Sequence, residues 1–153
     1  MMRSSRGVTL VEGLAVVAIL MLLVGVGARS FFRFTDDQTL AGAAATVRAV
    51  LDDARARTLA SQGGNIYGVR VESGSVTTFP SAYIAGNPAN STVVLPPSVE
   101  AVASLTGGAS EVVFARLTGA ASTTGSITVR LRKNPSMTKI VTVNGTGLVE
   151  LTE

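Results

Sequence analysis

GVTLVEGLAVVAILMLLVGVGA, residues 7–28, is the stretch on which the fold turns. From Val8 to Ala28 it holds 21 residues and a single charged side chain, Glu12. As a helix the run is roughly 31 Å long, about the thickness of a bilayer's hydrocarbon core. Upstream stands MMRSSRG, with Arg3 and Arg6. Three readings fit. The run is a secretory signal cut after Val26-Gly27-Ala28, or a plain signal anchor in which Glu12 is incidental, or a helix in which Glu12 has a task. A carboxylate at the centre of a membrane helix costs about 2.5–3.5 kcal/mol on insertion scales. Glu12 is nearer one end, so its cost is smaller, but a disposable signal has no reason to bear it. Arg29 and Arg33 on the far side offset Arg3 and Arg6, so the positive-inside rule does not fix orientation.

Beyond the apolar run the helix is expected to continue. Ser30 to Gln62 contains no proline, and Gly42 is its only glycine. Leu40, Ala43, Ala44, Val47, Val50, Leu51, Ala54, Thr58 and Leu59 recur at three- and four-residue spacings and form one apolar stripe. Asp52, Asp53, Arg55 and Arg57 take the remaining faces, and Arg48–Asp52 is a helical ion pair. Thr35-Asp36-Asp37 marks a loosened turn or a new N-cap, and Gly63-Gly64 ends the helix.

The remainder alternates as strands do. Ile66–Glu72 and Ser75–Phe79 flank a turn at Ser73-Gly74, a hairpin. Val93–Leu95, Val99–Ala103 and Glu111–Ala115 are shorter candidates. Ser126–Arg132, Lys139–Val143 and Gly147–Leu151 follow, the last two joined by a turn at Asn144-Gly145. The fold class is therefore α+β: a long N-terminal helix, membrane-spanning in its first half, whose apolar stripe packs on a C-terminal, mostly antiparallel β-sheet region.

Charge and composition exclude more than they assign. The 13 basic and 10 acidic residues give a net charge of +3. Removing Arg3 and Arg6 with a leader leaves 11 against 10, a balance of about +1, so no broad nucleic-acid footprint is evident. The chain has neither cysteine nor histidine. Disulfides, thiolate or imidazole metal sites, and Ser-His or Cys-His pairs are all excluded. No phosphate-binding glycine loop is present. The expectation is no enzyme, no cofactor and no metal.

Gly7-Val8-Thr9-Leu10-Val11-Glu12 resembles the leader junction of type IV pilins and the related pseudopilins of type II secretion. In that family a membrane peptidase cuts after the glycine on the cytoplasmic side. The apolar helix stays on the protein and the new N-terminal residue is usually methylated. Carried over, the resemblance makes Gly7 the cleavage glycine, Val8 the new and methylated N-terminus, and Glu12 the family's glutamate, fifth in the mature chain. Two positions depart from the pattern: Val8 stands where phenylalanine is usual, and Arg29 where proline is often found. The second removes a proline-induced bend, although Gly25 and Gly27 loosen the helix there.

The resemblance implies a leader at 1–7, a transmembrane and assembly helix at 8–29, its soluble continuation at 30–62 and a β-rich head at 63–153. It implies a single-pass subunit of a bacterial cytoplasmic membrane, head outside the cytoplasm, assembled into a type IV pilus or a type II secretion pseudopilus. The implied partners are other pilin or pseudopilin subunits, the prepilin peptidase, the membrane assembly platform and the lipid bilayer. Leu51-Asp52-Asp53-Ala54-Arg55 and the ending Val143-Asn144-Gly145-Thr146-Gly147-Leu148-Val149 are similar to the minor subunits called H-type pseudopilins, or GspH/FimT type.

Other clusters have plainer readings. Arg130 and Arg132 project to the same side of a strand, with Lys133 next and Lys139 opening the next strand. Some minor pilins of this type bind DNA through such residues by phosphate contacts; a solvated strand face is the reading favoured over nucleic acid. Asp36-Asp37 and Asp52-Asp53 are surface charge, because adjacent helical residues diverge by about 100°. Asn90-Ser91-Thr92 and Asn144-Gly145-Thr146 are chance glycosylation sequons. Phe31, Phe32 and Phe34 suit interfacial anchoring or packing against neighbours. Two alternatives stay open: a DNA-binding minor pilin in DNA uptake, and a membrane-anchored ligand-binding domain outside the pilin system.

Overall fold

The computed structural model describes residues 9–152, and their side chains except those of 26–32. The chain divides into two compact units between Asp36 and Asp37.

The first unit holds the opening of α1 (Leu10–Leu59). From Leu10 to Gly25 its side chains are apolar except Glu12, and the large ones are exposed on every side of the helix, from Leu10 at 82% to Val17 at 48%. A helix apolar all round ordinarily lies in a core or in lipid. Among the described residues no helix is long and apolar enough to cross a membrane. The apolar run with described side chains, Leu10 to Gly25, is sixteen residues, short of the roughly 20 that span a bilayer. Val8 and the side chains of Val26, Gly27 and Ala28, which belong to the expected span, lie outside the described residues. The loosened turn expected at Thr35-Asp36-Asp37 is absent, for α1 runs through it unbroken. Asp and Thr are only weak helix breakers, at most about 0.7 kcal/mol each relative to alanine.

The second unit contains the core. Leu40, Ala44, Val47, Leu51, Ala54 and Thr58 are all at most 1% exposed, and their three- and four-residue spacing puts them on one face. Val50 is only half-buried and Leu59 is 42% exposed, so the stripe is narrower than its sequence pattern. Thr58 belongs to it through its hydroxyl, which donates to the Ala54 carbonyl at 2.9 Å and accepts the Tyr67 N–H at 2.8 Å. That bond fastens the chain entering the first strand to the last turn of α1. The helix ends at Leu59, and Gly63 and Gly64, both at positive φ, reverse the chain just beyond.

Eight strands follow: β1 (Tyr67–Glu72), β2 (Ser75–Pro80), β3 (Ser91–Val94), β4 (Val99–Leu105), β5 (Glu111–Val113), β6 (Gly125–Leu131), β7 (Thr138–Val143) and β8 (Val149–Thr152). They form two four-stranded antiparallel sheets, ordered β3-β2-β1-β5 and β4-β6-β7-β8. The expected first hairpin is present, with Glu72 opposite Ser75. The last hairpin turns over Asn144–Gly147: the Gly147 N–H donates to the Asn144 carbonyl and the Asn144 N–H to the Leu148 carbonyl. Its left-handed residue is Gly147, at φ +77°, where the sequence pattern points to Gly145. The Ala101 N–H bonds the Ser73 carbonyl and links the sheets. The α1 stripe joins Val69, Val76 and Phe114 of one sheet region and Val99, Ile127, Leu131 and Val141 of the other in a single apolar core.

Candidate functional site

Helix α1 begins on a cap. The Glu12 N–H reaches the Thr9 hydroxyl at 3.3 Å, and the Gly13 N–H bonds the Thr9 carbonyl at 3.1 Å. Thr9 is thus the N-cap, and Glu12 the third helical residue. Thr-x-x-Glu is the spacing of a capping box, a local signal that the membrane and leader-junction readings of Glu12 do not use. The geometry has two consequences. The cap fixes where the helix starts, and so the height of Glu12 along it. A carboxylate in the first turn also lies against the positive end of the helix dipole, typically worth 0.3–1 kcal/mol. Glu12 is exposed, open to a partner of opposite charge. Gly7 and Val8 lie outside the described residues, as do the side chains of Phe31 and Phe32; Phe34 is 63% exposed.

Arg130 and Arg132 of the head have partners that the sequence pattern does not name. Arg130 and Arg132 do share a face, but β4 pairs with β6 so that Glu100 stands opposite Arg130. Glu100 receives Arg130 Nε at 2.6 Å and Arg132 Nη1 at 3.4 Å. Arg132 also donates through Nε to the Val99 carbonyl at 3.1 Å and through Nη2 to Ser73 Oγ at 3.3 Å. Lys139 lies opposite Val129 on β7, and Lys133 and Lys139 each have interactions of their own. Arg130 and Arg132 are therefore tied to a carboxylate and to the β1–β2 turn. Glu100 is 30 residues from Arg130 in sequence, and only the strand pairing reveals it.

Two further clusters are structural. Arg70 bonds Glu111 at 2.6 Å and Glu72 at 3.0 Å, and its guanidinium lies 4.5 Å from the Tyr83 ring centroid. The bonds it donates to Glu111 and then to Glu72 raise its pKa, and its contact with Tyr83 holds the β2–β3 loop against β1. Arg55, outside the apolar stripe as the sequence places it, donates through Nε to the Gly119 carbonyl at 3.2 Å and through Nη2 to the Thr146 carbonyl at 3.5 Å. It fastens two loops to the end of α1. The helical carboxylates are paired locally, Asp52 with Arg48 at 3.5 Å and Asp53 with Arg57 at 2.7 Å. Asn90 is engaged too, its amide donating to the Ile84 carbonyl at 2.8 Å.

Among the described residues no group of three His, Cys, Asp or Glu side chains could hold a metal. A shallow hollow between Ile66, Phe114, Ala115 and Ala120 is lined almost wholly by apolar groups. It lacks the few convergent polar groups that orient a substrate. The arrangement that remains is a capped apolar helix with an exposed carboxylate in its first turn, and a separate β-rich unit with internally paired charges.

No family model matches the chain, and no curated protein matches its sequence. Its fold does match solved structures. The type IV minor pilin FimU of Pseudomonas aeruginosa superposes with a TM-score of 0.60 at 14% identity, covering 78% of this chain and 92% of that one. A second crystal form of FimU gives 0.56 at 13% identity, with 74% and 93% covered. The minor pseudopilin EpsH from the Type 2 Secretion System of Vibrio cholerae gives 0.54 at 14% identity, with 74% and 95% covered. The chain has the type IV pilin and pseudopilin fold.

Proposed function

We propose that this chain, which has the pilin fold, is a structural subunit: a minor pilin or pseudopilin of GspH/FimT type. It is cut after Gly7, held in the membrane by its apolar helix and assembled into a type IV pilus or a type II secretion pseudopilus. The observation that carries this is the capped helix start. Thr9 and Glu12 open an exposed apolar helix on a head of pilin fold. Exposed leucines and valines on every side of a helix need a cover, and lipid before assembly and sister helices after it would supply one.

Glu12 then has a role that neither a signal peptide nor an anchor provides. Alone in lipid an ionised carboxylate is unfavourable. Beside the positively charged amine of a neighbouring subunit's Val8 it gains a partner, and only one axial register brings the two together. The Thr9 cap holds Glu12 at a fixed height for that contact. The peptidase, the assembly platform and the bilayer are the remaining partners, and the head faces away from the cytoplasm. The work is mechanical rather than enzymatic. With Glu100 bonded to both arginines, DNA binding at Arg130, Arg132, Lys133 and Lys139 is the less favoured alternative.

The test is incorporation. A Glu12→Ala subunit, expressed beside the wild type and present at equal level in the membrane, should enter filaments about tenfold less often. A lost charge-assisted contact of about 1.5–3 kcal/mol gives a factor of that size or larger. Equal incorporation of the two subunits would remove the pairing role.

A further inference from the structure

The four sheet edges are not guarded alike. In β5 the outward backbone groups are closed off: the Val113 N–H donates to Ser122 Oγ at 3.0 Å, the Val113 carbonyl accepts the Ser122 N–H at 2.8 Å, and the Glu111 carbonyl accepts the Thr123 hydroxyl at 2.8 Å. On β4, the outward Ala101 N–H is taken by the Ser73 carbonyl. Edge strand β8 carries Glu150, and a charge on an edge discourages pairing. β3 has none of these guards. Its sequence is Ser91-Thr92-Val93-Val94, without charge or proline.

Hydrogen-bond parity fixes which of its groups are free. The Leu95 N–H bonds the Gly74 carbonyl at 2.9 Å. In an antiparallel ladder such bonded pairs alternate with unbonded ones. With Val93 opposite Val76 and Ser91 opposite Thr78, residues 91, 93 and 95 point their backbone groups at β2. Thr92 and Val94 point theirs away from the sheet. Among the described residues no hydrogen bond to those outward groups is present. Val94 is 77% exposed, and the Thr92 hydroxyl is occupied by Thr77 at 2.9 Å. Asn90 on one side, and Pro96 and Pro97 on the other, bound the open edge.

The geometry points to a second copy of this chain as the occupant of that edge, paired antiparallel across a two-fold axis at Val93. The edge is its own complement. Thr92 of one copy exchanges N–H and carbonyl with Val94 of the other, and the two-fold repeats the exchange, so every outward group is used. The two Val93 side chains meet on the core face as a close cross-strand pair, and Thr92 lies beside Val94 on the outer face. Core face joins core face and the sheet runs continuously through both copies. A register slip of two residues sets Val94 opposite Asn90 or Thr92 opposite Pro96, and half of the exchange is lost. This is an isologous contact. It is short and therefore weak, and suits subunits already held at high local concentration. It stands whether or not the chain enters a pilus.

The chain has no cysteine, so one introduced thiol reports without background. Val93→Cys in the full chain places two thiols on Cα atoms about 4.5 Å apart, within the usual disulfide window of about 4.4–6.8 Å. Under mild oxidation this variant should form a covalent dimer about tenfold faster than Leu148→Cys, an exposed position off this edge. Adding Val94→Lys should slow it by about the same factor; Thr92→Pro, which removes the outward N–H together with the hydroxyl bonded to Thr77, should do the same. Sedimentation of the cysteine-free chain gives a second reading: a concentration-dependent doubling of mass that Val94→Lys abolishes. Cross-linking no faster than that of Leu148→Cys, or a dimer mass unchanged by Val94→Lys, would overturn the proposal.

Discussion

Gly147→Ala is expected to destabilise the head by about 3 kcal/mol or more. Gly147 sits at φ +77°, and a Cβ there would lie 1.8 Å from the Gly119 carbonyl oxygen and 2.9 Å from Arg55 Nε. The left-handed backbone alone costs a residue with a Cβ about 1–2 kcal/mol. Relief of the overlap requires one of the two loops to move, which breaks the Arg55 bonds to Gly119 and Thr146; overpacking of this kind typically costs about 1–3 kcal/mol. Gly86 is the control. Its φ is +75°, with nothing within 4 Å of a built Cβ, so Gly86→Ala should cost only the backbone part, about 1–2 kcal/mol. Urea midpoints of the two variants separate these contributions. Equal midpoints would mean that the two loops do not meet as described.

Leu51→Ala is the second large effect. Leu51 is fully buried where α1 meets the core of both sheets. Truncation should cost about 2–5 kcal/mol, from lost burial plus the cavity left behind. Leu59, two turns further on and 42% exposed, belongs to the same sequence pattern, but Leu59→Ala should cost well under half as much, since most of its lost burial is already absent. The ratio of the two, from chemical denaturation, checks that the helix packs through the face of Leu40, Val47, Leu51 and Thr58. A cost at Leu59 equal to that at Leu51 would rotate the helix relative to the sheets.

The helix and its contact face were legible because a 3.6-residue period survives burial: 40, 44, 47, 51, 54 and 58 recur whatever they pack against. The width of the face was less legible. Val50 and Leu59 satisfy the period, and only the position of the sheets decides how far round the stripe the cover extends. Strand existence was readable from alternation and turn residues, and the hairpins at Ser73-Gly74 and Asn144–Gly147 from their short loops. The division into two sheets was not readable. It depends on β5 returning to β1 and on β4 pairing with β6, contacts between segments far apart in sequence. The same distance hid Glu100 from Arg130 and the loop carbonyls from Arg55. The cap at the N-terminus is local, with Thr9 accepting the N–H of Glu12 three residues on, and its Thr-x-x-Glu spacing was available in the sequence without help from the rest of the fold.

The register role proposed for Glu12 requires a free amine on Val8, so the bond after Gly7 has to be cut and the apolar helix retained. The intact mass of the protein from its native host reads this directly. The predicted mass is that of a chain beginning at Val8 with one added methyl. A mass that includes the leader, or one that begins just after Ala28, would contradict the assembly role.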